Sequence, residues 1–422
     1  MATTRSLAGL DWVNFFAAAV QTGFGPFIAI YLTLHHWTGL AIGGVLSLGT
    51  IVAMVSQIPA GALVDFMPNK RLAGGIGLLA IGASALLFVF APTQFGVSVA
   101  EILHGFASCM LNPAIAAISL ALVSRRALGE RLGRNVRFSS LGNGVAAALM
   151  GTAGYWLTGA SVFVLTALLT IPTLLALASI EPSPPRRATN AAQAQGAPAW
   201  RDLRALFLDH RLLAFAASLA CFQMADAAML PFVGRKIAGE AGGVANALIA
   251  GAIVLPQLVV AALSPAVGRT AEQRGRRFVL MSGFAFEPIR GLLFALVNLP
   301  IPLVLIQSLD GIGAAVVGVL LPLIAADIAR ERGHFNLTMG AIGVAVGAGA
   351  AASTALAGFV DDMFGTNPAL LALAAVGLVA TSVVWFVMPE SGGELVPMQA
   401  EAQPGGFPQG GTRQKVLSHD RA

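Results

Sequence analysis

Long apolar runs with few or no charges recur along nearly the whole chain, each about the 20 residues a helix needs to cross a hydrocarbon core roughly 30 Å thick. Twelve can be marked off, at 10–34, 39–64, 72–91, 95–123, 136–157, 161–180, 211–234, 244–267, 277–298, 301–326, 337–360 and 367–388. Because the runs are continuously apolar, they predict spanning helices and exclude the alternating short segments of an outer-membrane barrel. A water-soluble fold is excluded as well, since 56% of the 422 residues are apolar and 11% charged, against roughly a quarter charged in soluble chains. The expected fold is an all-α polytopic membrane protein of twelve transmembrane helices.

An even number of spans puts both termini on one side, and the basic residues say which. Arg5, Lys70, Arg71, Arg125, Arg126, Arg131, Arg134, Arg137, Arg269, Arg274, Arg276, Arg277, Arg330 and Arg332 fall at the N-terminus or after even-numbered runs. Opposite them stand Arg235 and Lys236, with Arg290 inside an apolar run. The positive-inside rule then predicts cytoplasmic termini in a bacterial inner membrane. The net charge of +5 thus reports topology, and no nucleic-acid partner is expected. The first helix is expected to be retained, because no small-residue cleavage site follows it. Cys109 and Cys221 both lie in apolar runs, which indicates neither a disulfide framework nor a zinc site.

Short patterns return after about 205 to 207 residues, the mark of a duplicated half. Gln21 with Pro26-Phe27 returns as Asp226 with Pro231-Phe232, Glu101-x-x-His104-Gly105 as Gln307-x-x-Asp310-Gly311, and Gly61 as Gly268. The expected organisation is a cytoplasmic N-terminus at 1–9, a six-helix half at 10–180, a Pro/Ala/Gln/Arg-rich linker at 181–210, a second six-helix half at 211–388 and a disordered tail at 389–422.

The loop Gly61-Ala62-Leu63-Val64-Asp65-Phe66-Met67-Pro68-Asn69-Lys70-Arg71 resembles the signature Gly-x-Leu-Ala-Asp-Arg-x-Gly-Arg-Lys of the major facilitator superfamily. A weaker copy, Gly268-x-x-Ala271-Glu272-x-x-Gly275-Arg276-Arg277, occupies the equivalent loop of the second half. The family's fourth-helix pattern Arg-x-x-Gln-Gly-x-Gly-Ala-Ala is similar to the stretches at Glu101 and Gln307, with Glu101 in place of the arginine and no Gly-Pro antiporter motif in the fifth run. The resemblance implies a pseudo-symmetric major facilitator fold over residues 10–388. It also implies that the first, fourth, seventh and tenth helices line a central cavity, and that Asp65 helps latch a cytoplasmic gate.

An ionised side chain at the bilayer centre costs about 2.5–3.5 kcal/mol on insertion scales, so acids inside spanning helices call for a reason. Glu101, Asp226 and Asp310 are the clearest cases. Helical spacing groups Asp11, Asn14 and Gln21, Glu101 and His104, Gln223 and Asp226, and Gln307 and Asp310 into one polar stripe per helix. These carboxylates are the candidates for binding a proton or a cationic solute, with His104 expected as the hydrogen-bond partner of Glu101. Glu287 and Arg290, three apart on the ninth helix, which the resemblance places outside the cavity, are expected to form a structural ion pair. Small residues crowd the fifth, eighth and eleventh runs, and Pro26, Pro113, Pro231 and Pro322 are expected to kink or unwind their helices.

The function expected is secondary active transport of a small organic molecule by a monomer, coupled to protons, with efflux favoured over uptake. No phosphate-binding Gly-x-x-x-x-Gly-Lys-Ser/Thr loop, nucleophile elbow or metalloprotease helix is present, which argues against ATP drive and against an enzyme, and no cofactor is indicated. Cys221, Met224, Met229, Cys109, Met110 and His104 offer soft ligands for a second reading, a copper or metal-chelate carrier. A third is a receptor that keeps the fold and has lost flux.

Overall fold

Proline decides where several spanning helices are interrupted. A proline inside a helix lacks the N–H and clashes with the carbonyl four residues earlier, and three spans break at that distance. The structure, a computed structural model, describes residues 3–24, 26–181, 204, 208–240, 245–332 and 334–388. The first span is α1 (Thr4–Thr22) and α2 (Pro26–Leu34), with Pro26 four positions beyond Thr22. Next come α3 (Gly39–Phe66), α4 (Lys70–Phe90), α5 (Gln94–Leu122), α6 (Leu128–Trp156) and α7 (Ser161–Ala178).

In the second half, α8 (His210–Asp226) and α9 (Met229–Glu240) share the seventh span, with Pro231 four residues beyond Ala227 in the break. After α10 (Ala245–Arg274), Pro288 stands four residues beyond Phe284, where α11 (Arg276–Phe284) gives way to α12 (Phe286–Leu296). The tenth span divides at Ser308–Leu309 into α13 (Pro300–Gln307) and α14 (Asp310–Arg332), without a proline. α15 (Phe335–Phe364) and α16 (Thr366–Val387) complete the set. Pro113 and Pro322, expected to kink or unwind their helices, do not unwind them: both lie inside continuous helices, α5 and α14.

Among the described residues every regular element is helical, and ten helices or helix pairs are long and apolar enough to cross a membrane. The broken first span and α6, whose first turns carry Glu130, Arg131, Arg134 and Arg137, bring the total to twelve. α6 starts at Leu128, eight residues before the apolar run, so these arginines are helical and not loop residues as expected. Arg131 pays for its burial by pairing with Asp11 of α1 and donating to Asn135 Oδ1 at 2.8 Å; Arg134 lies 2.6 Å from the other Asp11 oxygen. Asp11, placed in the polar stripe from its spacing, is therefore the anchor of α6 on α1. The linker and the tail lie outside the described residues, save Glu181, Arg204 and residues 208–210.

The duplication extends to individual bonds. Arg71 donates to the Ala178 carbonyl and Arg277 to that of Trp385; Tyr31 donates to the Phe88 carbonyl and Lys236 to that of Phe294. Each partner is displaced by 205–207 residues from its counterpart.

Candidate functional site

The breaks in the seventh, ninth and tenth spans bring four charged side chains to one place. Asp226 ends α8, Glu287 and Arg290 lie on α12 just after the Ala285 break, and Asp310 opens α14. Arg290 donates through Nη2 to Asp226 and through Nη1 to Asp310, and its Nε lies 3.3 Å from Met229 Sδ. Nη2 also sits 3.0 Å from Glu287 Oε2, without the alignment of a hydrogen bond, and both Glu287 oxygens lack a hydrogen-bond partner. Arg290 and Glu287 are 1% exposed, Asp226 and Asp310 24%. The two aspartates therefore form the accessible rim and the Glu287–Arg290 pair the floor. Oxygens of the three acids lie within 4.8 Å of one another.

Three carboxylates thus surround one guanidinium, an excess of two negative charges when all are ionised. In a low-dielectric interior such an excess is costly unless protons or a cation offset it. The opened backbone is partly re-satisfied locally, since Ser353 Oγ of α15 accepts from the Ala228 N–H at 3.0 Å. Asp310 benefits from lying at a helix N-terminus, whereas Asp226 lies at a C-terminus, where the helix dipole disfavours a negative charge. The equivalent first-half positions are Gln21, Ile81, Ser84 and His104, none acidic, so the cluster belongs to the second half alone.

This placement corrects the expectation for Glu287 and Arg290. They do pair, but as the centre of the cluster and not outside it. Asp226 and Asp310 come together on Arg290, with Gln223 half-buried one turn before Asp226, while Gln307 is buried with Oε1 unpartnered. Glu101 lies elsewhere. It is 5% exposed, points at α3 where a Cβ on Gly49 would lie 2.0 Å from its Oε2, and leaves Oε1 unpartnered. No hydrogen bond joins it to His104, whose ring instead stacks on Phe24 at 3.8 Å and 9°. Asn14 is turned onto its own helix, donating to the Leu10 carbonyl at 2.7 Å. Gln21 lines a cleft of about 370 Å³ between α1, α6 and α10, with Asn143 and Gln257, which the sequence reading did not single out. The soft ligands of the copper reading are scattered: Cys109 donates to Ala53 and Gly105 carbonyls, Met229 faces Arg290, and Cys221 packs against a separate apolar cluster.

At the face carrying the basic loops the two halves are sealed twice. His334 stands before α15 in a left-handed conformation (φ 56°) and supplies no side-chain cap. Asp65 of the other half takes its place, accepting from the Asn336 N–H and Nδ2 at 3.2 and 2.6 Å and the Leu337 N–H at 2.9 Å. Ala127 leaves α6 without a side-chain cap too, and Glu272 accepts from the Gly129 N–H at 3.1 Å. Both seals need glycine at the crossing, since a Cβ on Gly61 would meet the Asn336 carbonyl oxygen at 2.2 Å and one on Gly268 that of Gly129 at 2.0 Å. Lys70 Nζ closes the end of α3 by donating to the carbonyls of Val64, Asp65 and Met67. Its counterpart Arg276 donates to the Ala271 carbonyl and approaches Glu272 and Asp327, and Arg125 reaches Asp327 from the other half at 2.9 Å. Gly275 (φ 92°) makes the turn between α10 and α11. The Arg125–Asp327 pair joins the halves from 202 residues apart and lies outside both motifs, so no sequence pattern marks it.

The family model of the Major Facilitator Superfamily matches residues 10–286 and, in an overlapping second match, 240–419. The chain belongs to this superfamily. A major facilitator relative from Mycobacterium tuberculosis, an uncharacterized MFS-type transporter, is 35% identical over 392 residues, covering 92% of this chain and 94% of the relative. Another from Methanocaldococcus jannaschii is 28% identical over 141 residues, 33% of this chain and 36% of the relative. Among solved structures, the major facilitator transporter FucP in its outward conformation superposes with a TM-score of 0.73 at 17% identity, over 90% of this chain and 98% of that one. The human organic anion transporter MFSD10 does so with a TM-score of 0.69 at 15% identity, over 90% and 99%. These likenesses establish the major facilitator fold of a transporter, and so not that of an enzyme.

Proposed function

We propose that the chain is a proton-coupled secondary transporter of a small organic solute, working by alternating access in the inner membrane with its termini in the cytoplasm. The observation that carries the reading is the Arg290 cluster, with more carboxylates than its one buried guanidinium can balance, set in the middle of helices that must move. A proton arriving on Asp226 or Asp310 removes one partner of Arg290 and loosens the tie between α8, α12 and α14; loss of the proton restores it. The coupling acids are thus Asp226 and Asp310, with Arg290 as their fixed counter-charge, and the cleft at Gln21 is a neighbouring polar wall for solute. The doubled seal at the basic-loop face supports a closed cytoplasmic gate. A structural neighbour is the E. coli fucose:proton symporter, which fits coupling of this kind.

Purified protein in liposomes loaded with a pH-sensitive dye tests this. Pools of organic cations, anions, neutral compounds and Cu(I) are offered to the wild type, Asp226→Asn and Asp310→Asn. The expected result is solute-dependent proton movement in the wild type that falls at least tenfold in either variant. Solute flux with no accompanying proton movement defeats the coupling reading, and flux of Cu(I) alone replaces the substrate class. Tight solute binding with no flux would support the receptor reading in its place.

A further inference from the structure

A groove of about 430 Å³ runs along the outer side of the first half, between α1 and α7, at the basic-loop end. Its walls are Ala8, Trp12 and Phe16 of α1 and Ala176 of α7, with Arg5 and Ser179 at the mouth. The Ser179 hydroxyl is spent on the Ala176 carbonyl at 2.6 Å, so it offers no donor to a guest. Arg5 is exposed and makes no ion pair or hydrogen bond with a described residue. Close by, Arg71 donates one N–H to the Ala178 carbonyl at 3.0 Å and keeps a buried Nε without a partner. In the apolar wall Trp12 is stacked on Phe16 at 5.6 Å and meets Phe15 and Phe138 edge-on, yet it remains 49% exposed.

The spacing along α1 matches the layers of one leaflet. A rise of 1.5 Å per residue puts Trp12 about 10 Å and Phe16 about 16 Å deeper than Arg5, and the polar zone of each leaflet is roughly 5–8 Å thick. With Arg5 at phosphate depth, Trp12 lies just below the interface, near the level such rings favour, and Phe16 among the acyl chains. A zwitterionic lipid already carries a cation beside its phosphate, whereas an anionic headgroup has a net negative charge for Arg5 to offset.

We infer that this groove binds one anionic phospholipid of the leaflet at the basic-loop face, with its phosphate on Arg5 and an acyl chain along Trp12 and Phe16. The site is separate from the Arg290 cluster and stands whether or not transport is proton-coupled.

Native mass spectrometry of the full-length, delipidated protein titrated with phosphatidylglycerol or phosphatidylcholine tests the assignment. The wild type should retain phosphatidylglycerol about fivefold more strongly, the preference that one cation confers at an anionic headgroup. Arg5→Gln should bring the ratio to about one, Trp12→Ala should weaken both lipids, and Arg126→Gln, which removes an exposed charge from the same face, should leave the ratio unchanged. A wild type without preference, an Arg5→Gln protein that keeps it, or an Arg126→Gln protein that loses it equally would each overturn the site. Elution volume and helical circular dichroism of each variant establish that it is folded.

Discussion

Arg290 and Glu287 lie side by side, equally buried, and the charge count makes them opposites in effect. Removing the guanidinium strands three acids, and breaking a buried pair in this way costs about 3–5 kcal/mol. Removing the Glu287 charge lowers the excess it helps create. Arg290→Gln should therefore lower the melting temperature in detergent markedly, while Glu287→Gln should leave it unchanged or raise it. Equal stability of Arg290→Gln and wild type would mean that the acids are neutral without their arginine. A second contrast concerns Glu101, whose carboxylate occupies the space where a Gly49 side chain would be. Gly49→Ala should destabilise by about 1–3 kcal/mol through overpacking, and adding Glu101→Ala should recover most of the loss, a coupling a double-mutant cycle reads directly.

Legibility from sequence was uneven at this scale, for physical reasons. Asp226 and Asp310 announce themselves because an acid in an apolar run needs an explanation. Glu287 and Arg290 are as visible, but three residues apart on one helix they satisfy each other locally, and only the break before Pro288 reveals that they face two other spans. Glu101 and His104 share a helix face by spacing, yet two different neighbours, Gly49 and Phe24, claim them.

At the level of helices, α15 and α6 begin without side-chain caps of their own and borrow them from the opposite half. A missing cap costs about 0.5–2 kcal/mol, and one or two kcal/mol moves a two-state equilibrium by a factor of roughly 5–30. Asp65→Ala and Glu272→Ala should each open the basic-loop face by such a factor, with Asp65, which accepts three bonds, having the larger effect. Spin labels at positions 126 and 269 in a cysteine-free background would show the longer distance gaining population. An unchanged distance distribution in the double variant would assign the seal to packing at Gly61 and Gly268 alone. The twelve spans were readable from hydropathy, and the breaks at Pro26 and Pro231 from composition. The Ser308–Leu309 break was not, because no proline or charge run marks it.

Across the whole molecule, the two halves share their scaffold bonds and differ in charge. Arg71 and Arg277 anchor equivalent helix ends, and Asp65 and Glu272 close equivalent crossings, while the acid–arginine cluster exists once. The duplication was legible from Gln21/Asp226 and Gly61/Gly268; its asymmetry in charge follows from what replaces Asp226, Arg290 and Asp310 at Gln21, Ser84 and His104.

A barrier present in duplicate degrades gradually, and a single-copy charge centre does not. Under the proposed coupling, damage to one latch should leave a leaky machine that still moves its solute. Damage at Arg290 should leave a tight one that idles. Proton leak in the absence of solute would therefore distinguish lesions at the rim of this molecule from lesions at its centre.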